Sequence, residues 1–138
     1  MNPISSRFMR IAALWLLAGI ALGIFMAASH DHSMHPVHAH FNLLGFVLPV
    51  TFAVFYRLWP AAARTRLAQV HFWLYAPASF VLLIALFILF RGVTAIEPVL
   101  AVSSIVVGIS VICFAIVVWK HTAAQEDGVE RPAGLATA

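Results

Sequence analysis

Four long apolar stretches dominate the chain, and short polar segments separate them. They cover residues 11–28, 39–58, 67–90 and 99–119. Each is long enough to cross roughly 30 Å of hydrocarbon, which takes about 20 helical residues. None alternates apolar and polar positions as the strands of a membrane barrel do, and only a helix satisfies its own backbone groups in lipid. The pattern therefore predicts an all-α fold, an integral membrane four-helix bundle formed by residues 1–120.

The composition is that of a small membrane protein surrounded by lipid. Hydrophobic residues make up 63% of the 138 positions and charged residues 9%, and the mean hydropathy is +0.99, far from a soluble globular chain. A single cysteine, Cys113, supplies neither an internal disulfide nor a thiolate metal cluster. The lysines and arginines are scattered between apolar runs, which argues against a nucleic-acid partner.

The basic residues also predict how the chain is oriented. They precede the first span, separate the second from the third and follow the fourth: Arg7, Arg10, Arg57, Arg64, Arg66 and Lys120. Because positive charge accumulates on the cytoplasmic side, we expect both termini in the cytoplasm and residues 30–40 on the periplasmic side of a bacterial inner membrane. The tail, residues 121–138, is small and polar, and it is predicted to be disordered.

Residues 30–40 hold five histidines and an aspartate at the mouth of the second span. Ionisable residues at membrane depth are costly and point to function. His38 and His40 diverge by about 200° on a helix, so they cannot bind the same ion and suit two sites on either side of that helix. The chain has no His-Glu-x-x-His pattern, so a zinc protease is not expected.

Haem suits imidazoles on a helix in an apolar bundle, because the flat ring needs space between helices and a nitrogen above its iron. Gly45, seven residues after His38, returns to nearly the same face. There it either admits a porphyrin or allows close helix packing. Asn42 shares this face and is placed to hydrogen-bond a ligand or a neighbouring helix.

The outer loop offers a second kind of site. His30, Asp31, His32 and His35 present imidazole and carboxylate ligands suited to a divalent ion such as magnesium, copper or zinc. The alternative is a solvated loop whose histidines titrate near neutral pH.

Three motifs resemble subunit I of haem-copper oxygen reductases. The run His38-Ala39-His40-Phe41 and the later run Val70-His71-Phe72-Trp73-Leu74 are similar to its tenth and eleventh helices. The pair His30-Asp31 stands at the spacing of that family's magnesium-binding pair. The resemblance extends over residues 29–90.

The resemblance implies roles for individual residues. His38 matches the axial ligand of the high-spin haem, His40 that of the low-spin haem, and His30 with Asp31 the magnesium pair. His71 matches a motif position to which we assign no ligand role. The family's copper-site histidines and tyrosine have no counterpart, so oxygen reduction by this chain alone is not expected, and whether it is an enzyme is left open.

The resemblance also implies an oligomer. Subunit I has twelve spans in three similar four-helix arcs, and this chain has the length of one arc, which favours a homotrimer. His38 of one copy and His40 of the next would then ligate one haem. Two imidazoles leave no open iron position, which favours electron transfer.

Three functions follow as alternatives. The first is a haem-binding, cytochrome-like membrane protein, b-type haem favoured, that exchanges electrons with a redox partner or senses redox state or a gas. In it Arg91 pairs with a haem propionate, or is merely flanking positive charge. The second is a copper- or zinc-binding protein or oxidase assembly factor acting through the outer loop. The third is a helical interaction subunit without a cofactor.

Overall fold

The structure is a computed structural model that describes residues 3–129, with side chains described for residues 3–123. Every regular element in that range is helical. In chain order they are α1 (Pro3–Ser29), α2 (His35–His40), a π-helix (Phe41–Val47), α3 (Leu48–Leu58), α4 (Pro60–Ala63), α5 (Arg66–Phe90), a 3-10 turn (Thr94–Ile96) and α6 (Glu97–Val129).

Four continuous helical stretches are long and apolar enough to cross a membrane. They are Pro3–Ser29, His35–Leu58, Arg66–Phe90 and Thr94–Ala123. Each contains one of the four apolar stretches found in the sequence, so the all-α fold with four candidate spans is confirmed. The architecture is compatible with a multi-pass membrane protein.

The last helix is longer than the sequence pattern predicts. Its backbone continues through residues 121–129, where a disordered tail is expected; residues 130–138 lie outside the described part. The side chains of His121 and Thr122 bond back to the carbonyls of Val117 and Val118, both at 2.9 Å. Residues 123–126 are Ala, Ala, Gln and Glu, which are strong helix formers.

The helices pack as two antiparallel pairs, α1 with the second span and α5 with α6. Near the start of α1, the Ser5 hydroxyl donates to the Ala53 carbonyl at 2.8 Å and ties α1 to α3. Large apolar side chains on the outside stay exposed, among them Leu17 at 66% and Trp119 at 73%. Such a surface suits hydrocarbon, where exposed apolar groups carry no penalty.

The second span changes its winding between Phe41 and Val47. The N–H of Leu48 donates to the carbonyl of Leu43, five residues back, as in a π-helix. The next residue, Pro49, has no N–H, so the carbonyl of Leu44 has no donor at the equivalent position. The hydroxyl of Tyr75 on α5 donates to that carbonyl instead. A proline thus frees a carbonyl inside an apolar span, and a tyrosine from the next span satisfies it.

Candidate functional site

The histidine segment begins where α1 ends. His30 has a φ of 53°, the left-handed conformation that commonly closes a helix. The carboxylate of Asp31 accepts a hydrogen bond from the N–H of Ser33 at 2.9 Å. That hydrogen bond, with smaller contributions from the charges of His32 and Arg91, lowers the pKa of Asp31. The carboxylate of Asp31 is therefore an anion that stabilises the turn formed by residues 31–33.

His38 lies half-buried between the second span and α1. Its Nδ1 is 2.9 Å from the carbonyl oxygen of Gly19, and because a carbonyl only accepts, Nδ1 carries the hydrogen. Its Nε2 is 3.3 Å from the Asn42 side-chain nitrogen, which also donates to the His38 carbonyl at 2.8 Å. Both ring nitrogens of His38 are therefore engaged within the chain.

Glycines on α1 make room for these side chains. A Cβ added at Gly23 would lie 3.0 Å from Cε1 of His38, and one added at Gly19 would lie 2.8 Å from Oδ1 of Asn42. Two glycines four residues apart let a partner helix approach closely. The imidazole and the amide fill that space.

Gly45 faces α1 as well. A Cβ added there would lie 2.6 Å from Cβ and Cγ of Trp15. His38, Asn42 and Gly45 therefore share one face, as their spacing predicts. That face packs against α1, and at Gly45 the space beside the backbone holds an indole, so Gly45 serves close helix packing.

His40 is arranged differently. Its side chain is exposed, and its Nδ1 lies 2.7 Å from the carbonyl oxygen of Pro36, one turn earlier. Since the carbonyl accepts, Nδ1 carries the hydrogen and Nε2 carries the lone pair. Within the described residues Nε2 makes no hydrogen bond. His40 thus presents an oriented imidazole nitrogen to the outside of its own chain.

The remaining candidates lie at the same end of the bundle. His30, Asp31, His32 and His35 are all exposed, and so is Arg91, at the end of α5. Among the described residues, no group of three or more His, Cys, Asp or Glu side chains is close enough to hold a metal ion.

His71 occupies the most enclosed position of any histidine in the described part. It is fully buried, its Nδ1 is 2.9 Å from the Tyr56 hydroxyl, and its carbonyl accepts from the Ser110 hydroxyl at 3.1 Å. The rings of Phe8, Phe52 and Phe114 lie with their centroids 4.5–5.3 Å from the imidazole. Its Nε2 has no hydrogen-bond partner among the described residues.

Sequence reasoning assigned no ligand role to His71, and it missed the pairing with Tyr56. The two residues lie on different helices, fifteen positions apart, so no periodicity connects them. The available signal was that an ionisable residue inside an apolar span needs a polar partner.

A separate groove of about 600 Å³ lies between α5 and α6. Its lining is Trp73, Leu74, Pro77, Ala78, Val81, Pro98, Val99, Val102, Ser103 and Val106. None of these carries an imidazole, and the one hydroxyl, on Ser103, donates to carbonyls of its own helix. This groove is not a histidine-ligated haem site.

The chain was compared with protein-family models, curated proteins and solved structures. None of them matches it. The relation to subunit I of haem-copper oxygen reductases accordingly stays a prediction carried by the sequence motifs alone.

Proposed function

We propose that this chain is a haem-binding membrane protein that transfers electrons or senses redox state or a gas, with His40 as an axial ligand. The observation that carries the proposal is the setting of His40: exposed, with Nδ1 held by the Pro36 carbonyl and Nε2 without a partner in the described chain. Metal-binding imidazoles usually donate their other ring N–H to a carbonyl or carboxylate, which fixes the tautomer. His40 meets this condition before any ligand arrives.

The π-helix supports the same region. It begins at Phe41, directly after His40, and π segments inside α-helices are frequent at functional sites. Bound haem would supply reversible one-electron chemistry. The chain would contribute the oriented nitrogen of His40 and an apolar surround, with the exposed Arg91 at the same end as a partner for a propionate.

The outward position of His40 favours a site shared between copies, and a homotrimer is the assembly we propose. His38 of a neighbouring copy is the second candidate ligand, and the weaker one, because Gly19 and Asn42 already occupy its two ring nitrogens. Native mass spectrometry should give a trimer that carries haem. A monomer with stoichiometric haem would contradict the shared site.

The first test is an absorption spectrum of the purified protein, oxidised and reduced, with a pyridine haemochrome assay. We expect a Soret band with sharp reduced bands, and His40→Ala should lower haem content about tenfold or more. His121→Ala, at the opposite end of the bundle, is the matched control and should keep full haem content. An unchanged spectrum in His40→Ala would show that the axial assignment is wrong.

A second function, copper or zinc binding by the outer loop, rests on one local observation. The N–H of His35 donates to the carbonyl of His32 at 3.0 Å, so both exposed imidazoles belong to one turn. A colourless protein that binds zinc or copper, with affinity falling as the imidazoles protonate, would favour this function over haem binding.

A further inference from the structure

A narrow groove lies between α1 and α3 at the arginine-rich end of the bundle, away from the candidate haem ligands. Its volume is about 210 Å³, and it is lined by Ser5, Met9, Ala53, Val54, Arg57 and Leu58. The groove exists because the two residues at its floor are small. Ser5 and Ala53 are buried and joined by the hydrogen bond from the Ser5 hydroxyl to the Ala53 carbonyl.

The groove is apolar along its walls and positive at one end. Met9 is 42% exposed, Val54 46% and Leu58 65%, so the walls are open to the surroundings of the helix pair. Arg57 lies one turn beyond Ala53, toward the end of α3, and is exposed. Because α1 and α3 are antiparallel, Met9 lies at the opposite, deeper end.

The charge on Arg57 has no acidic partner among the described side chains. The two acidic residues described there, Asp31 and Glu97, follow the end of α1 and begin α6, both at the other end of the bundle. Glu126, Asp127 and Glu130 have no described side chains. Near Arg57 the sequence adds further positive charge from Arg64 and Arg66.

We infer that this groove binds one anionic phospholipid, with an acyl chain along Met9 and Val54 and the phosphate at Arg57. This arrangement suits a lipid in one leaflet, because the charge lies toward the membrane surface and the apolar walls lie toward the membrane interior. Basic pockets between spanning helices on the cytoplasmic side recognise anionic headgroups in this way. The inference rests on membrane insertion and is independent of haem.

Competition between two lipids tests the inference. The full chain in detergent is mixed with equal amounts of phosphatidylglycerol and phosphatidylcholine of the same acyl chains, and native mass spectrometry counts the lipid retained. We expect a preference for phosphatidylglycerol, which Arg57→Gln lowers about fivefold, the effect of one arginine at an anionic surface. Arg64→Gln, an exposed arginine at the same end but outside the groove, is the matched control and should keep the preference.

A second variant tests the apolar part. Val54→Trp fills the groove from an exposed position, so it should leave folding intact and lower the retention of both lipids. Equal losses from Arg57→Gln and Arg64→Gln would overturn the site in favour of diffuse surface charge. Unchanged retention in Val54→Trp, or displacement of the lipid by inorganic phosphate, would also overturn it, because the acyl chain would then contribute nothing.

Discussion

His40 and His71 carry the same side chain at opposite ends of the bundle, in opposite settings. The imidazole of His40 is exposed and held by one backbone carbonyl, whereas that of His71 is fully buried, bonded to Tyr56 and enclosed by aromatic rings. Both belong to motifs that resemble the same family. A histidine in a motif is therefore open to a ligand or part of the core according to the partners of its ring nitrogens.

Replacing each imidazole in turn tests whether the two settings differ in their contribution to stability. His71→Ala should lower the free energy of unfolding by about 2–5 kcal/mol, since it leaves a cavity and strips Tyr56 of its partner. His40→Ala should change it by less than about 0.5 kcal/mol, as expected for an exposed residue. Denaturant unfolding of both variants in one detergent measures the difference. Similar losses would show that the two histidines contribute alike to stability.

A smaller effect is expected where the second span meets α1. Gly45→Ala places a Cβ 2.6 Å from Trp15, so overpacking should cost about 1–3 kcal/mol of unfolding free energy. Gly108 on α6 is the matched control, because an added Cβ there meets nothing within 4 Å. Gly108→Ala should be neutral or stabilising by up to about 1 kcal/mol through helix propensity. Equal tolerance at both glycines would contradict the close packing described at Gly45.

The smallest effect concerns the hydrogen bond between Tyr56 and His71, around which the rings of Phe8, Phe52 and Phe114 pack. Tyr56→Phe should cost about 1–2 kcal/mol, because it leaves Nδ1 of His71 buried without a partner. Adding His71→Leu to Tyr56→Phe should cost less than the sum of the two single changes, since replacing both partners by apolar groups removes the unsatisfied atom. Strict additivity in this double-mutant cycle would mean that the hydroxyl and the imidazole are not coupled.

Apolar length alone predicted the four spans, and helical periodicity predicted that His38, Asn42 and Gly45 share a face. The helix against which that face packs could not be predicted, because no pattern in a single sequence pairs two helices. The glycines that make room for it, Gly19 and Gly23, lie on α1. The disorder predicted for residues 121–138 stays a prediction, while the described backbone continues α6 to Val129 and the helix propensity of residues 123–126 agrees with that continuation.

Within the candidate site, the sequence identified the histidines but not which of their ring nitrogens already have a partner within the chain. His38 and His40 are the same residue type, but their ring nitrogens have different partners. His38 contacts Gly19 on α1 and Asn42, whereas His40, among the described residues, contacts only the Pro36 carbonyl one turn earlier. For His30, Asp31 and His32 in the outer loop, a shared metal site stays a prediction.

The π-helix at Phe41–Val47 sets the rotation of one end of the second span relative to the other. In a π-helix each backbone hydrogen bond spans five residues instead of four. The segment therefore holds one residue more than an α-helix of the same number of turns, and the chain stays helical throughout. Restoring uniform α winding with every residue kept would turn His38 and His40 by roughly 100° relative to Phe52 and Tyr56, and deleting one residue at the same time would cancel that turn. The direction of the outer imidazoles is therefore set by the winding of this segment, while Phe52 and Tyr56 keep their places.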